Sequence, residues 1–162
     1  MIKNYIFFGT LFLFLACDKT EQQTQVEKNT TALINHVNPF IGTGGHGHTY
    51  PGATVPFGMV QPSPDNGQNG WDWCSGYHYS DSLVAGFGQL HLSGTGIGDL
   101  ADLLFMPATK EIDLTVPVEK PADIPYLSRY SHDNEEAHPG YYRVFLEDPK
   151  IDVALTANQR TA

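Results

Sequence analysis

The sequence predicts an all-β, antiparallel fold, and three observations carry that expectation. Glycine and proline, 16 and 11 of them, interrupt nearly every block of ten residues, which leaves little room for helices. Apolar residues alternate instead of recurring at every third and fourth position, the strand period instead of the helical one. The alternating runs are short and separated by turn residues, as in a sandwich of antiparallel sheets.

Residues 1–16 read as a targeting segment. Lys3 supplies a positive start, and Tyr5 to Ala16 is an apolar run too short to span a bilayer comfortably. The run ends in Phe14-Leu15-Ala16-Cys17, a relaxed form of a lipoprotein cleavage site. Lipidation of Cys17 would hold the chain to a membrane without crossing it. Residues 17–31 are polar, lack aromatic residues and read as a tether. Asn29-Thr30-Thr31 matches a glycosylation acceptor, which a bacterial lipoprotein has no reason to use.

From residue 32 to 162 the chain is one domain's worth of sequence, long enough to bury a core without staples. The formal charge of −9 argues against a nucleic-acid partner. With Cys17 lipidated, Cys74 stands alone, so no disulfide is expected inside the chain, and a buried thiol is. Five strands are readable. Phe87 to Leu92 puts Leu90 and Leu92 on one face and Phe87, Gln89 and His91 on the other. Leu103 to Met106, apolar on both faces, reads as a central strand. Ile112 to Val116 is a further short strand. Tyr142, Val144 and Leu146 alternate with Tyr141, Arg143 and Phe145; Ile151, Val153 and Leu155 alternate with Asp152, Ala154 and Thr156. Pro117–Pro125 and the acidic His132–Gly140 read as loops, the latter closing in a Pro-Gly turn.

The stretch from Asn38 to Asp102 holds both tryptophans and most of the glycines. Trp71-Asp72-Trp73 is its best carbohydrate signal. An indole covers the apolar C–H face of a sugar, and the carboxylate accepts from its hydroxyls. If the segment is extended, Trp71 and Trp73 share a face and at least one is core. Gly45-His46-Gly47-His48 places two imidazoles on one side of an extended chain, suited to sugar hydroxyls; no third ligand stands at a familiar metal spacing. Gln89 and His91 share a face, which offers His91 to the same surface. Asp99 completes the candidate contacts. Other motifs fail on inspection. Gly94-Thr-Gly96-Ile-Gly98 lacks the spacing of a dinucleotide loop, and Asp99 would repel a pyrophosphate. Asp65 to Gly70 resembles the start of a calcium loop, but position three is Gly67 and position twelve Gly76. Ser75, His78 and Asp81 have the residue types of a triad but not its strand-turn motif.

VNPFIGTGGHGHTYPGATVPFGMVQPSPD, WDWCSGYHYSD, GFGQLHLSGTGIGDLADLLFMP and, later, YSHDNEEAHPGYYRVFLED with IDVALTANQRTA together resemble the N-terminal domain of glycoside hydrolase family 92, from about Val37 to Ala162. The resemblance implies a bacterial exo-α-mannosidase and an antiparallel supersandwich like that of galactose mutarotase, incomplete at its C-terminus. It implies inversion at the sugar, calcium dependence with ligands unassigned in this chain, and a site shared with a C-terminal helical domain that holds the general acid and base. No catalytic residue is therefore assigned here. The implied partners are a mannose-containing glycan, that helical domain, and the outer or periplasm-facing membrane of a Gram-negative cell. The resemblance favours Trp71 as the sugar-facing residue; Gln89 stands where the family often has histidine. A stand-alone carbohydrate-binding module is the competing expectation.

Overall fold

The computed structural model describes residues 33–67, 70–98, 103–115 and 123–162. Asp99, the leader with Cys17, the tether and most of the loop 117–125 lie outside the described residues. Residues 34–162 belong to one compact unit.

All strand pairings among the described residues are antiparallel. β1 (Ser63–Asp65), β3 (Gly86–Gly88) and β4 (Leu104–Phe105) form one sheet, in the order β1-β3-β4. β2 (Leu83–Val84) pairs with β5 (Ser128–Arg129). β6 (Glu135–His138), β7 (Tyr141–Leu146) and β8 (Ile151–Thr156) form a meander. In β7, Tyr142, Val144 and Leu146 are buried while Arg143 is exposed, the alternation read from the sequence. β8 alternates likewise, and Arg143 of β7 clamps Asp152 of β8 from the solvent side. Pro139 and Gly140, with φ +78° at the glycine, close the β6–β7 hairpin; proline sets the first turn angle and glycine accepts the left-handed one.

The core gathers Tyr77, Val84, Phe87, Tyr130, Ala137, Tyr142, Val144 and Leu146, so it joins all three sheets to the segment after β1. Tyrosine supplies much of this core. Its ring adds apolar area, and each hydroxyl then needs a buried partner.

Four expectations are corrected. The strand at Phe87 to Leu92 is Gly86–Gly88 instead. Its next partner would be Pro62, which has no N–H to give, and the amide of Gly88 already donates to Asp65 Oδ2 at 2.8 Å. Leu103 to Met106 is not a central strand: β4 covers two residues at the sheet edge, and Leu103, Leu104 and Phe105 are exposed. Apolarity on both faces identified a strand without locating what it packs against. Residues 112–115 form no strand, Leu114 is exposed and Val116 lies outside the described residues. His132–Gly140 is not a loop. It is a 3-10 turn, His132–Asn134, capped by the Ser131 side chain, and then β6. Its acidity misleads because Glu135 is buried among hydroxyl donors instead of facing water.

Candidate functional site: an aromatic and imidazole cluster

Trp71, Asp72 and Trp73 form a single 3-10 turn, not an extended run, so the two indoles diverge. Trp71 remains 58% exposed. Trp73 turns inward: it stacks on His78 with ring centroids 4.3 Å apart, and its Nε1–H donates to Asp81 Oδ2 at 3.1 Å. Trp71 is thus the available face and Trp73 the support.

Residues 42–49 form a tight loop that delivers both histidines. A Cβ at Gly47 would lie 1.9 Å from the carbonyl oxygen of Gly42, so only glycine lets the loop fold back on itself. His48 sits at φ +53°, which turns the two imidazoles toward one atom. His46 Nδ1 lies 2.6 Å from Asp72 Oδ1, and His48 Nε2 lies 3.3 Å from the same oxygen. Both rings flank Trp71, with centroids 5.5 and 4.3 Å away, His48 edge-on. Asp72 titrates below the usual carboxylate range, chiefly because His46 hydrogen-bonds its charged form.

A second loop supports the cluster. Trp71 Nε1–H donates to the Gly96 carbonyl at 3.1 Å; a side chain at position 96 would crowd that nitrogen at 3.2 Å. His48 Nδ1 lies 2.7 Å from the Thr95 carbonyl. A carbonyl only accepts, so Nδ1 carries the proton, and Nε2 donates to Asp72 only when the ring is an imidazolium. The buried Cys74 thiol donates to the same Thr95 carbonyl, and Ser75 Oγ–H donates to the His48 carbonyl. The result is an open cavity of about 410 Å³ lined by Gly70, Trp71, Trp73, Cys74, Gly96 and Gly98.

The sequence candidates therefore divide. His46, His48, Trp71 and Asp72 come together. His91 does not join them. It is 2% exposed, with Nδ1 2.8 Å from the Gln61 carbonyl and Nε2 3.2 Å from Asp65. The expected strand face around Gln89 does not form, and Gly76 and Gly88 close over the Asp65–His91 pair. Asp99 lies outside the described residues. Thr95 and Gly96 were missed as participants because their contribution is a main-chain carbonyl, which residue type cannot signal; the run of alternate glycines was the available clue.

His78 bonds Ser80 and the Gly45 carbonyl, Asp81 receives Trp73 and Ser75 faces His48, so no relay links the three. Among the described residues no group of three His, Cys, Asp or Glu side chains is placed to hold a metal ion. Two imidazoles and one carboxylate are also the wrong chemistry for calcium, which takes oxygen ligands. The cluster's donor set does not fit a calcium site.

An exposed indole thus lies beside a carboxylate and two imidazoles, on loops of an antiparallel β-domain. Residues 36–162 match the glycosyl hydrolase family 92 N-terminal domain, and the chain belongs to that family. It is similar to a family 92 α-mannosidase from Bacteroides thetaiotaomicron, solved with mannoimidazole: 46% identity, TM-score 0.72, covering 78% of this chain and 17% of that one. It is also similar to a family 92 inverting mannosidase from the same species: 31% identity, TM-score 0.56, covering 76% and 16%. An uncharacterized secreted glycosidase of Arthroderma benhamiae is 27% identical over 134 residues, 80% of this chain and 16% of the relative. The chain thus spans about a sixth of the length of these relatives.

Proposed function

We propose that this chain is the N-terminal, glycan-contacting domain of an exported, calcium-dependent, inverting exo-α-mannosidase. The observation that carries the reading is the convergence of His46, His48 and Asp72 beside Trp71, the member of the cluster that lines an open cavity. Trp71 offers its exposed face to the C–H surface of a mannose ring, and Asp72 and the imidazoles meet its hydroxyls. The mannoimidazole complex of the 46% identical relative supports a mannose-type ligand. The name of another relative supports inversion, and the secreted glycosidase supports export.

The general acid and base of the reaction belong to a helical domain beyond this one. This chain contributes binding and orientation instead of proton transfer. Cys17 anchors the protein to a Gram-negative membrane. The direct test is titration of mannoimidazole into the full-length protein. Trp71→Ala weakens binding by about tenfold or more if the reading holds, and unchanged affinity with an intact fold removes Trp71 from the sugar site.

A further inference from the structure

One buried carboxylate lies on the far side of the segment that carries Trp71 and Asp72, and the sugar contact makes no use of it. Glu135, the first residue of β6, has a side chain 1% exposed. Its Oε1 accepts from the Tyr142 hydroxyl at 2.7 Å. Its Oε2 accepts from the Tyr77 hydroxyl at 3.1 Å and faces His132 Nδ1 at 2.5 Å. Burial, reinforced by the Glu135 charge, pushes the Tyr77 and Tyr142 phenols far above the ordinary tyrosine range, which keeps them protonated as donors.

The partners matter more than the count. Tyr77 is five residues beyond Asp72 on the same segment. Tyr79, two residues further, stacks on the His132 ring at 4.1 Å with the planes 9° apart. Glu135 therefore fastens the segment twice: directly through Tyr77, and through His132, whose ring it orients beneath Tyr79. Between these fasteners and the Trp71 turn, Gly76 N–H bonds the Trp73 carbonyl, Cys74 N–H bonds the Trp71 carbonyl and Asn66 N–H bonds the Gly76 carbonyl. Asn66 also accepts from His78 N–H through its side chain, so the residues on either side of Tyr77 share one partner and a displacement at Tyr77 is carried to the turn.

We propose that Glu135 is a positioning residue that sets the location of Trp71 and Asp72 through Tyr77 and His132. The proposal rests on the sugar-contact reading of Trp71 and Asp72. A carboxylate suits the task because it accepts from three donors at once, and an amide cannot.

The test uses full-length protein and an α-mannoside, well below each variant's melting temperature. Glu135→Gln and Tyr77→Phe are each expected to raise KM about fivefold, with kcat within about twofold. Tyr77→Phe keeps the ring and decides the matter if Glu135→Gln does not fold. Leu146→Ala in β7, where the ladder partner is Ile151 of β8 and not Glu135, destabilises the same sheet and is expected to leave KM unchanged. Amide exchange at residues 71–76 should quicken in the Glu135 and Tyr77 variants and not in Leu146→Ala. Unchanged KM and exchange in both variants, or equal changes in Leu146→Ala, overturn the proposal. If Trp71→Ala leaves KM and kcat unchanged while exchange still quickens in Glu135→Gln, the sugar-contact reading fails and the positioning of the segment stands.

Discussion

His46 and Asp72 lie 26 positions apart in the chain, yet Nδ1 of one is 2.6 Å from Oδ1 of the other. The contact ties the glycine-rich loop to the Trp71 turn at the surface, where nothing but geometry and charge holds it. His46 is largely exposed, so the pair adds little to global stability. Its consequence is local order beside the indole.

The Asp72 carboxyl titrates with a definite sign. The Asp72 pKa is lowered in the fold, so the stabilisation is present above the ordinary aspartate range and is lost as pH falls through the lowered value. Carboxyl NMR of the folded protein should therefore show Asp72 titrating below the usual aspartate value. His46→Ala should move that midpoint upward. An unmoved midpoint would show that His46 does not hold the carboxylate in solution.

Leu146 is fully buried at the end of β7. Leu146→Ala should cost about 2–5 kcal/mol, the range for deleting a packed aliphatic side chain. Urea unfolding followed by tyrosine fluorescence measures it. A loss below about 1 kcal/mol would place Leu146 outside the core.

How much of this was legible in the sequence depended on what each residue answers to. β7 and β8 were readable because their alternation answers to one sheet and one core. The four members of the cluster were readable as candidates by residue type alone, Trp, His and Asp among glycines, although His48 is buried and only Trp71 and His46 are well exposed. Their convergence came from a different route than expected. The Trp71 turn is 3-10, and His48 reaches Asp72 through a left-handed backbone, not a strand face. His91 was misplaced because a short alternating run ended early at a proline partner. β6 was hidden because Glu135 counted as a solvated acid, and only its long-range partners, Tyr77 and Tyr142, make it a buried one.

Membrane attachment through Cys17 is a further expectation. Cys17→Ala should release the protein from the membrane fraction or leave the leader uncleaved. Mass spectrometry of the N-terminal peptide checks it, and an unlipidated wild-type peptide would contradict the anchor.

Residues 17–162 alone should release no mannose, because inverting hydrolysis needs an acid and a base about 6.5–9.5 Å apart on opposite sides of the bond, and the proposed function places both in a helical domain outside these residues. The full-length protein should be active and lose activity on calcium chelation, with recovery on adding calcium back. Turnover by the purified monomeric fragment would move the catalytic acids into the β-domain.

The central claim is that Trp71 meets the sugar. The measurement is kcat/KM of full-length wild type and Trp71→Ala on mannobiose, with circular dichroism to verify the fold. Loss of the indole's contact area should remove roughly 1.5–3 kcal/mol of transition-state binding, a fall of about tenfold or more in kcat/KM. A value within about threefold of wild type, with the fold intact, would contradict the claim and leave Trp71 a bystander at the edge of the site.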